Sequence, residues 1–357
     1  MITVRAIGGR KGPALALAAA ASLLELGPIA ALLRSNAGLM AILLAGLAYQ
    51  IGNALPRPPA SIGAPPLFLV LTCGALAMLL VEVGDPGWFV AVGVFSWSLQ
   101  GMRRRFGSTE GDDLPSTAQK RTARVVGFVL ATALPAKFWI PAVWLTSIAP
   151  LVWRASAAVR SPTGRTKWKV HPLEVIMILH QSHYFSYCYA LPLLFDQSAL
   201  GGTPFVGTWF ACGWVSYLLA EAIWQRFSPM RTFLVGHVCL AVLLVAMAIF
   251  AHFPWFLVVL WILSGLGGGT VYCLTILHRA EGRPHRRLEV TEDVGHLLGV
   301  LVSVGAVTFL TWNVDELPAL GAVWATTAAA GMLSLLLVRR AVDARNSSTS
   351  RGKINAR

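Results

Sequence analysis

Long apolar stretches follow one another along the whole chain, and arginine and lysine are concentrated in alternate connections between them. The acidic residues Glu82, Asp85 and Asp315 lie in the other connections. Arginine and lysine are retained on the cytoplasmic side when a chain inserts into a membrane. This pattern therefore predicts a polytopic membrane protein with an even number of crossings and both termini in the cytoplasm. The basic segments are 1–11, 102–124, 154–169, 226–231, 279–287 and the tail from 339 onwards.

Composition supports the same class of protein. The chain is 56% hydrophobic and 13% charged, with a mean hydropathy of +0.64, which is too apolar for a soluble protein of this length. The net charge of +13 lies at the predicted membrane ends, where it faces anionic lipid headgroups. We therefore expect membrane lipid as a partner, no nucleic-acid partner, and a location in the cell inner (plasma) membrane. The cysteines lie inside apolar stretches without CxxC spacing, which predicts no disulfide framework and no metal site.

The length of each apolar stretch predicts where the chain crosses the membrane, because a helix needs about 20 residues to span the hydrocarbon core. Segment 124–153 is long for one span and short for two. Its flanks are both basic and should both be cytoplasmic, which favours two crossings over one long kinked helix and a total of eleven. The predicted spans are 12–33, 38–55, 65–82, 86–102, 124–138, 140–153, 172–195, 204–225, 231–252, 255–278, 293–312 and 318–338.

These twelve spans divide into two sets of six. The prediction is an all-α protein with an N-terminal six-helix bundle at 1–153, a cytoplasmic linker at 154–171, a C-terminal six-helix bundle at 172–338 and a basic cytoplasmic tail at 339–357. The linker contains Arg, Ser, Pro, Thr and Gly, as exposed connections do. Two six-helix bundles joined by a basic cytoplasmic loop resemble the major facilitator superfamily of secondary transporters.

Two local motifs add to this resemblance. The connection after the predicted eighth span carries Glu221, Arg226 and Arg231 in an order similar to the conserved turn of that superfamily, whereas the equivalent segment 55–63 keeps only Arg57. Segment 264–272 is similar to the superfamily's glycine-rich tenth helix, although ordinary close helix packing explains those glycines equally well. The resemblance implies alternating access, with Glu221, Arg226 and Arg231 as gating residues.

The predicted seventh span carries a polar stripe. His180, His183, Tyr184 and Tyr187 follow the i, i+3, i+4, i+7 spacing of one helix face. Such a face is costly against lipid, so we expect it to line a substrate-binding cavity, with Gln50 of the second span on the N-terminal side. The alternative is a set of interhelical hydrogen bonds without a ligand. Pro192 permits a kink or an unwound turn just beyond the stripe. We call these four residues the aromatic stripe.

Acidic residues within spans are candidates for proton coupling. Glu25 lies in the middle of the first span, where no surface explanation applies. Glu292 and His296 are spaced i, i+4 and are predicted to share a proton. The alternative for this second pair is that Thr291 or an adjacent acid caps the start of the eleventh helix.

The sequence therefore predicts a monomeric secondary active transporter, a proton-coupled exporter of a small polar or amphipathic molecule, with no cofactor. The chain contains no GxSxG, HExxH or Walker motif, which favours a protein that is not an enzyme. One alternative is a polytopic enzyme acting on a lipid-linked substrate through the polar residues of 278–296. Another is an exporter of metal-chelating opines, because the histidine- and tyrosine-rich run at 180–189 resembles such members of the superfamily.

Overall fold

The computed structural model of this protein describes residues 11–55, 64–107, 117–152, 171–197, 201–224, 253–281 and 285–310, together with scattered positions between 226 and 250. Within these ranges the secondary structure is helical and includes no strand. The helices are α1 (Lys11–Arg34), α2 (Leu39–Ala54), α3 (Ala64–Leu80), α4 (Pro86–Gly107), α5 (Thr117–Ala133), α6 (Ala136–Val152), α7 (Pro172–Cys188), α8 (Leu191–Gln197), α9 (Thr203–Trp224), α10 (Pro254–Ser264), α11 (Gly268–Ala280) and α12 (His285–Leu310).

Helices correspond to every predicted span except the ninth and the twelfth. Within the ninth, the described positions between 235 and 249 are helical, and the twelfth, at 318–338, lies outside the described residues. Segment 124–153 forms two helices, α5 and α6, as the parity argument predicted. The chain turns between them at Leu134 and Pro135, where proline has no N–H with which to continue the helix.

Two of the predicted spans are broken helices. The seventh is interrupted between α7 and α8 at Tyr189 and Ala190, just before Pro192, as the sequence predicted. The tenth is interrupted between α10 and α11 by a short 3₁₀ turn at Gly265–Gly267. Irregular backbone at membrane depth occurs where it is surrounded by protein or lines a cavity, and substrate-binding helices of transporters use such breaks.

The chain forms two compact units. The first contains 1–165 and 189–215, and the second contains 166–188 and 216–357. The chain therefore passes from one unit to the other between Cys188 and Tyr189, as well as near the predicted linker. That linker, apart from His171, and the tail at 339–357 lie outside the described residues.

In the first unit, α1 packs against α2, α4, α5 and α6. Most of its length is buried, which suits a helix that is apolar on all sides. A methyl group on Gly127 of α5 would collide with the carbonyl oxygen of Ala19, so glycine permits the close approach of these two helices. The buried indole of Trp139 lies directly over Gly27 of α1.

In the second unit, α7 packs along α12. A side chain on Gly299 of α12 would collide with the carbonyl oxygen of Ser182, whereas Gly305 on the same helix faces open space. Two described segments, Ala14–Arg34 and Arg287–Phe309, are long and apolar enough by composition to cross a membrane.

Candidate functional site

Glu25 is the centre of a charged site in the first unit. It lies in the middle of α1 with its side chain 2% exposed, and its Oε2 accepts a hydrogen bond from the Arg124 guanidinium at 3.0 Å. Arg124 extends from α5, also lies 3.3 Å from Ser22, and has one face 4.6 Å from the ring of Trp214. A carboxylate removed from water needs such a partner, because an unpaired buried charge is strongly destabilising.

The second oxygen of Glu25 is also bound. The hydroxyl of Tyr189, at the break between α7 and α8, donates to Glu25 Oε1 at 3.1 Å. The amide of Gln50 on α2 donates to the same tyrosine oxygen at 2.6 Å. Gln50 is 1% exposed and Tyr189 is fully buried. Gln50, predicted at the substrate surface, therefore contacts the first-unit carboxylate site through one tyrosine.

Further polar residues continue from Gln50 towards the end of α4. Gln50 Oε1 accepts a hydrogen bond from Asn53 at 3.2 Å, and Asn53 Oδ1 accepts one from Gln100 at 2.6 Å. Gln100 in turn accepts a hydrogen bond from Arg103 at 3.1 Å. Ser96 also donates to Asn53 at 3.1 Å. All of these residues belong to the first unit.

The aromatic stripe lies in the second unit. Its members are all buried in α7, with exposures of 2% for His180, 1% for His183, 4% for Tyr184 and 0% for Tyr187. The ring centroids of His183 and Tyr187 are 6.4 Å apart, and those of Tyr184 and Tyr187 are 5.4 Å apart, both edge-on. These separations are typical of favourable aromatic pairs.

Trp261 of α10 completes this cluster. Its ring centroid lies 5.7 Å from that of Tyr184 and 6.1 Å from that of Tyr187. Ser264, the last residue of α10, lies beside the Tyr187 hydroxyl. The cluster therefore adjoins the break in the tenth span.

Glu292 and His296 come together as the spacing predicted, with 3.9 Å between Glu292 Oε1 and His296 Nε2. Gln181 of α7 donates to Glu292 at 3.2 Å, and the His296 ring lies 3.7 Å from that of Phe185. The capping interpretation is wrong, because α12 begins at His285 and Thr291 lies within it. The predicted proton-coupling residues thus fall in two places, Glu25 in the first unit and this pair in the second.

The predicted gating residues do not assemble into a described site. Glu221 lies in the last turn of α9, and Arg226 is exposed just after that helix. Arg231 lies outside the described residues.

A third polar cluster joins the start of α7 to the end of α11 and the start of α12. Glu174 is 2% exposed and lies 3.5 Å from His278 and 4.0 Å from Arg287. His171 lies 3.0 Å from Glu281. This cluster includes part of 278–296, the segment considered for an enzyme, and places His278, Glu281 and Arg287 beside polar partners within the second unit.

Sequence reasoning missed Arg124, Tyr189 and Trp261. Arg124 was counted with the cytoplasmic basic segment 102–124, yet it lies seven positions into α5 and reaches Glu25. Tyr189 is two positions beyond the aromatic stripe and belongs to the other unit. A basic residue that begins an apolar stretch, when another span carries one acid, is the signal that points to such a pair.

Solved transporter structures share this fold. The chain is similar to a variant of the nucleoside transporter NupG, with a TM-score of 0.63, 11% identity and coverage of 91% of this chain and 98% of that one. It is similar to a proton-dependent oligopeptide (POT) family transporter, with a TM-score of 0.66, 10% identity and coverage of 91% and 99%. It is also similar to an auto-inhibited POT family peptide transporter, with a TM-score of 0.65, 11% identity and coverage of 93% of this chain and 97% of that one.

These structures have the fold of major facilitator secondary transporters, as the sequence resemblance predicted. At 10–11% identity the likeness shows the fold alone. No family model matches the chain, and no curated protein matches it. The similarity shows an all-helical fold of the kind found in these transporters.

Proposed function

We propose that this protein is a proton-coupled secondary transporter that exports a small polar or amphipathic molecule by alternating access. The observation that carries the proposal is the carboxylate of Glu25, which is buried in the middle of α1 and paired with Arg124. Acidic residues inside membrane spans mark ion and substrate pathways. Nucleosides and peptides, which the similar transporters carry according to their names, define the size class of molecule to test first.

The proposed coupling uses both the ionised and the protonated form of Glu25. Ionised, it pairs with Arg124 and accepts the Tyr189 hydroxyl. Protonated, it no longer holds the guanidinium by charge, and the ion pair can separate. If the empty carrier reorients only when Glu25 is protonated, while the loaded carrier needs no proton, each cycle exchanges one proton for one substrate molecule. Glu292 and His296 of the second unit are the second proposed proton-coupling position.

The aromatic stripe is the proposed substrate surface. His180, His183, Tyr184 and Tyr187 combine ring faces with hydrogen-bonding groups on one helix, and Trp261 adds an indole. Flat amphipathic ligands stack on such rings while their polar edges bind the imidazole and phenol groups. Gln50 we place with the Glu25 site, because both ends of its amide bind within it.

Export results when the carrier exchanges protons from outside for substrate from inside. If protonation of Glu25 is required for the return of the empty carrier, an inward proton gradient drives the substrate outwards. Glu221, Arg226 and Arg231 are the proposed gating residues. We also propose that the protein is a monomer in the plasma membrane with both termini cytoplasmic.

Reconstituted proteoliposomes test the coupling. Protein with its cytoplasmic side facing outwards is given a nucleoside, a dipeptide and an aromatic cation in turn, with a proton gradient imposed in either direction. We expect uptake of one class that follows the gradient and collapses with a protonophore. Transport that needs ATP, or uptake unchanged by the protonophore, would overturn the proposal.

Cysteine labelling tests the topology. Single cysteines at 108, 163 and 350 should be protected from an impermeant thiol reagent in intact cells and become labelled after permeabilisation. Labelling of position 350 from outside would contradict cytoplasmic termini.

A further inference from the structure

The hydrogen bonds that end at Glu25 all run in one direction. Arg103 has only donors, so it fixes the Gln100 carbonyl on its side and directs the Gln100 amide N–H towards Asn53. Asn53 then donates to Gln50, and Gln50 donates to Tyr189. Because the tyrosine oxygen already accepts from an amide, its single proton points to Glu25. We call these residues the polar chain; in order they are Arg103, Gln100, Asn53, Gln50, Tyr189 and Glu25.

The two ends of the polar chain explain its direction. One end is a guanidinium, which cannot accept, and the other is a carboxylate, which cannot donate while it is ionised. Every link between them therefore presents a donor towards Glu25. Aligned hydrogen bonds polarise one another where the dielectric constant is low. The inner links are buried, with exposures of 1% for Gln50 and 6% for Asn53.

We propose that the polar chain holds the coupling carboxylate of Glu25 in its ionised form, so that Tyr189, Gln50, Asn53 and Gln100 are positioning residues that set the pH at which the transporter loads its proton. The proposal rests on the function proposed above. It adds that Arg103 of α4 contributes to this pH through four uncharged side chains.

Other groups that face Glu25 act alongside the polar chain. Arg124 of α5 is its direct ion-pair partner. Tyr49 of α2 donates to the backbone of Ala21 at 3.2 Å and lies within electrostatic range of Glu25, Arg103 and Arg124. The described lysine of α6, Lys137, is exposed near the start of that helix. Variants that cut the polar chain leave Arg124 in place, so the contribution of the chain can be measured apart from the ion pair.

The test measures protonation of Glu25 directly and needs no substrate. Dicyclohexylcarbodiimide modifies a carboxyl group inside a membrane protein only when that group is protonated. Purified full-length protein is treated across a pH series, and mass spectrometry measures the modified fraction of the Glu25 peptide. Variants cut the polar chain near Glu25 (Tyr189→Phe), in the middle (Gln100→Leu) and at its cationic end (Arg103→Gln). Ser98→Ala is the matched control, since Ser98 is buried on α4 and donates only to its own helix.

We expect the pH of half-maximal modification to rise by about one unit in Tyr189→Phe, because a hydrogen bond to a charged group is lost. Gln100→Leu and Arg103→Gln should raise it by about half a unit, since they weaken the same bond from a distance. Ser98→Ala should match the wild type. Each variant is compared only after it elutes as a single species in size-exclusion chromatography, and the two distant variants test the proposal if Tyr189→Phe does not fold.

Two results separate the two proposals. If Gln100→Leu and Arg103→Gln both kept the wild-type pH of half-maximal modification, the proposed role of the polar chain would be overturned, while Glu25 would remain the proton site. Modification of Glu25 that does not vary with pH in the wild type would overturn the proposed function itself.

Discussion

The two units bury polar side chains in different ways. In the first unit, one oxygen of Glu25 accepts a hydrogen bond from Arg124 and the other accepts one from Tyr189, so the buried carboxylate has both a counter-charge and a hydrogen-bond donor. In the second unit, the rings of the aromatic stripe pack against one another and against Trp261. We propose that the first arrangement responds to a proton, and that the second offers a surface that a ligand recognises by shape and stacking.

The largest expected effect follows from removing the charge of the first unit. Glu25→Gln should reduce proton-driven net transport to background while preserving substrate exchange at equal pH, because the amide mimics the protonated acid and cannot release a proton. Proteoliposome flux with and without a pH gradient measures both quantities. Glu82→Gln, at an exposed carboxylate of the same unit, is the matched control and should transport like the wild type. Retained proton-driven flux in Glu25→Gln would contradict the assignment.

Removing Arg124, the cation of the ion pair, should mainly affect the stability of the protein. Arg124→Gln leaves Glu25 buried without its cation and should lower the free energy of unfolding by about 3 kcal/mol. The double variant Glu25→Gln with Arg124→Gln should recover most of that loss, because two neutral amides need no counter-charge. Melting temperatures in detergent complete the double-mutant cycle. A double variant as unstable as Arg124→Gln would show that packing on Trp214, and not charge, explains the loss.

The second unit should depend on close packing rather than on charge. Gly299→Ala places a methyl group against the Ser182 backbone and should cost about 2 kcal/mol by separating α7 from α12. Gly305→Ala, on the same helix in open space, should be neutral or stabilising by up to about 1 kcal/mol. Thermal unfolding of the pair in one detergent measures the difference. Equal melting temperatures would mean that the close contact at Gly299 is not needed.

The smallest expected effect concerns the aromatic stripe. His183→Ala and Tyr187→Phe should each weaken ligand binding by about tenfold while leaving expression and the pH dependence of transport unchanged, since each removes one contact of about 1 kcal/mol. Tryptophan fluorescence titration with the transported ligand measures the affinity. Phe309→Ala, at an exposed ring of α12, is the control. Variants that lose melting temperature but bind normally would show that the aromatic stripe is structural.

Local patterns in the sequence predicted much of the fold. The lengths of the apolar runs predicted most of the described helices, Pro192 was consistent with the break of the seventh span, and the basic flanks of 124–153 predicted two helices. These features depend on residues close together in the chain. The capping interpretation at Thr291 was wrong because α12 begins six residues before Thr291, in the polar run that starts at His285.

The partners within each site were not predictable in the same way. Glu25 was identified as a buried acid, but Arg124 is 99 residues away and Tyr189 is 164 residues away. Nothing local distinguishes Arg124 from the other basic residues of 102–124. Trp261 likewise reaches the aromatic stripe only through the packing of α10 against α7. These contacts depend on how the helices pack against one another. A local pattern in a single sequence does not show that packing.

Infrared difference spectroscopy of the purified protein tests the central claim most directly, because it detects whether Glu25 exchanges a proton. Spectra are recorded between alkaline and acidic pH for the wild type, Glu25→Gln and Glu82→Gln. The account predicts a protonated carboxyl band in the wild type and in Glu82→Gln, and its loss in Glu25→Gln. The same band at undiminished intensity in Glu25→Gln would contradict it.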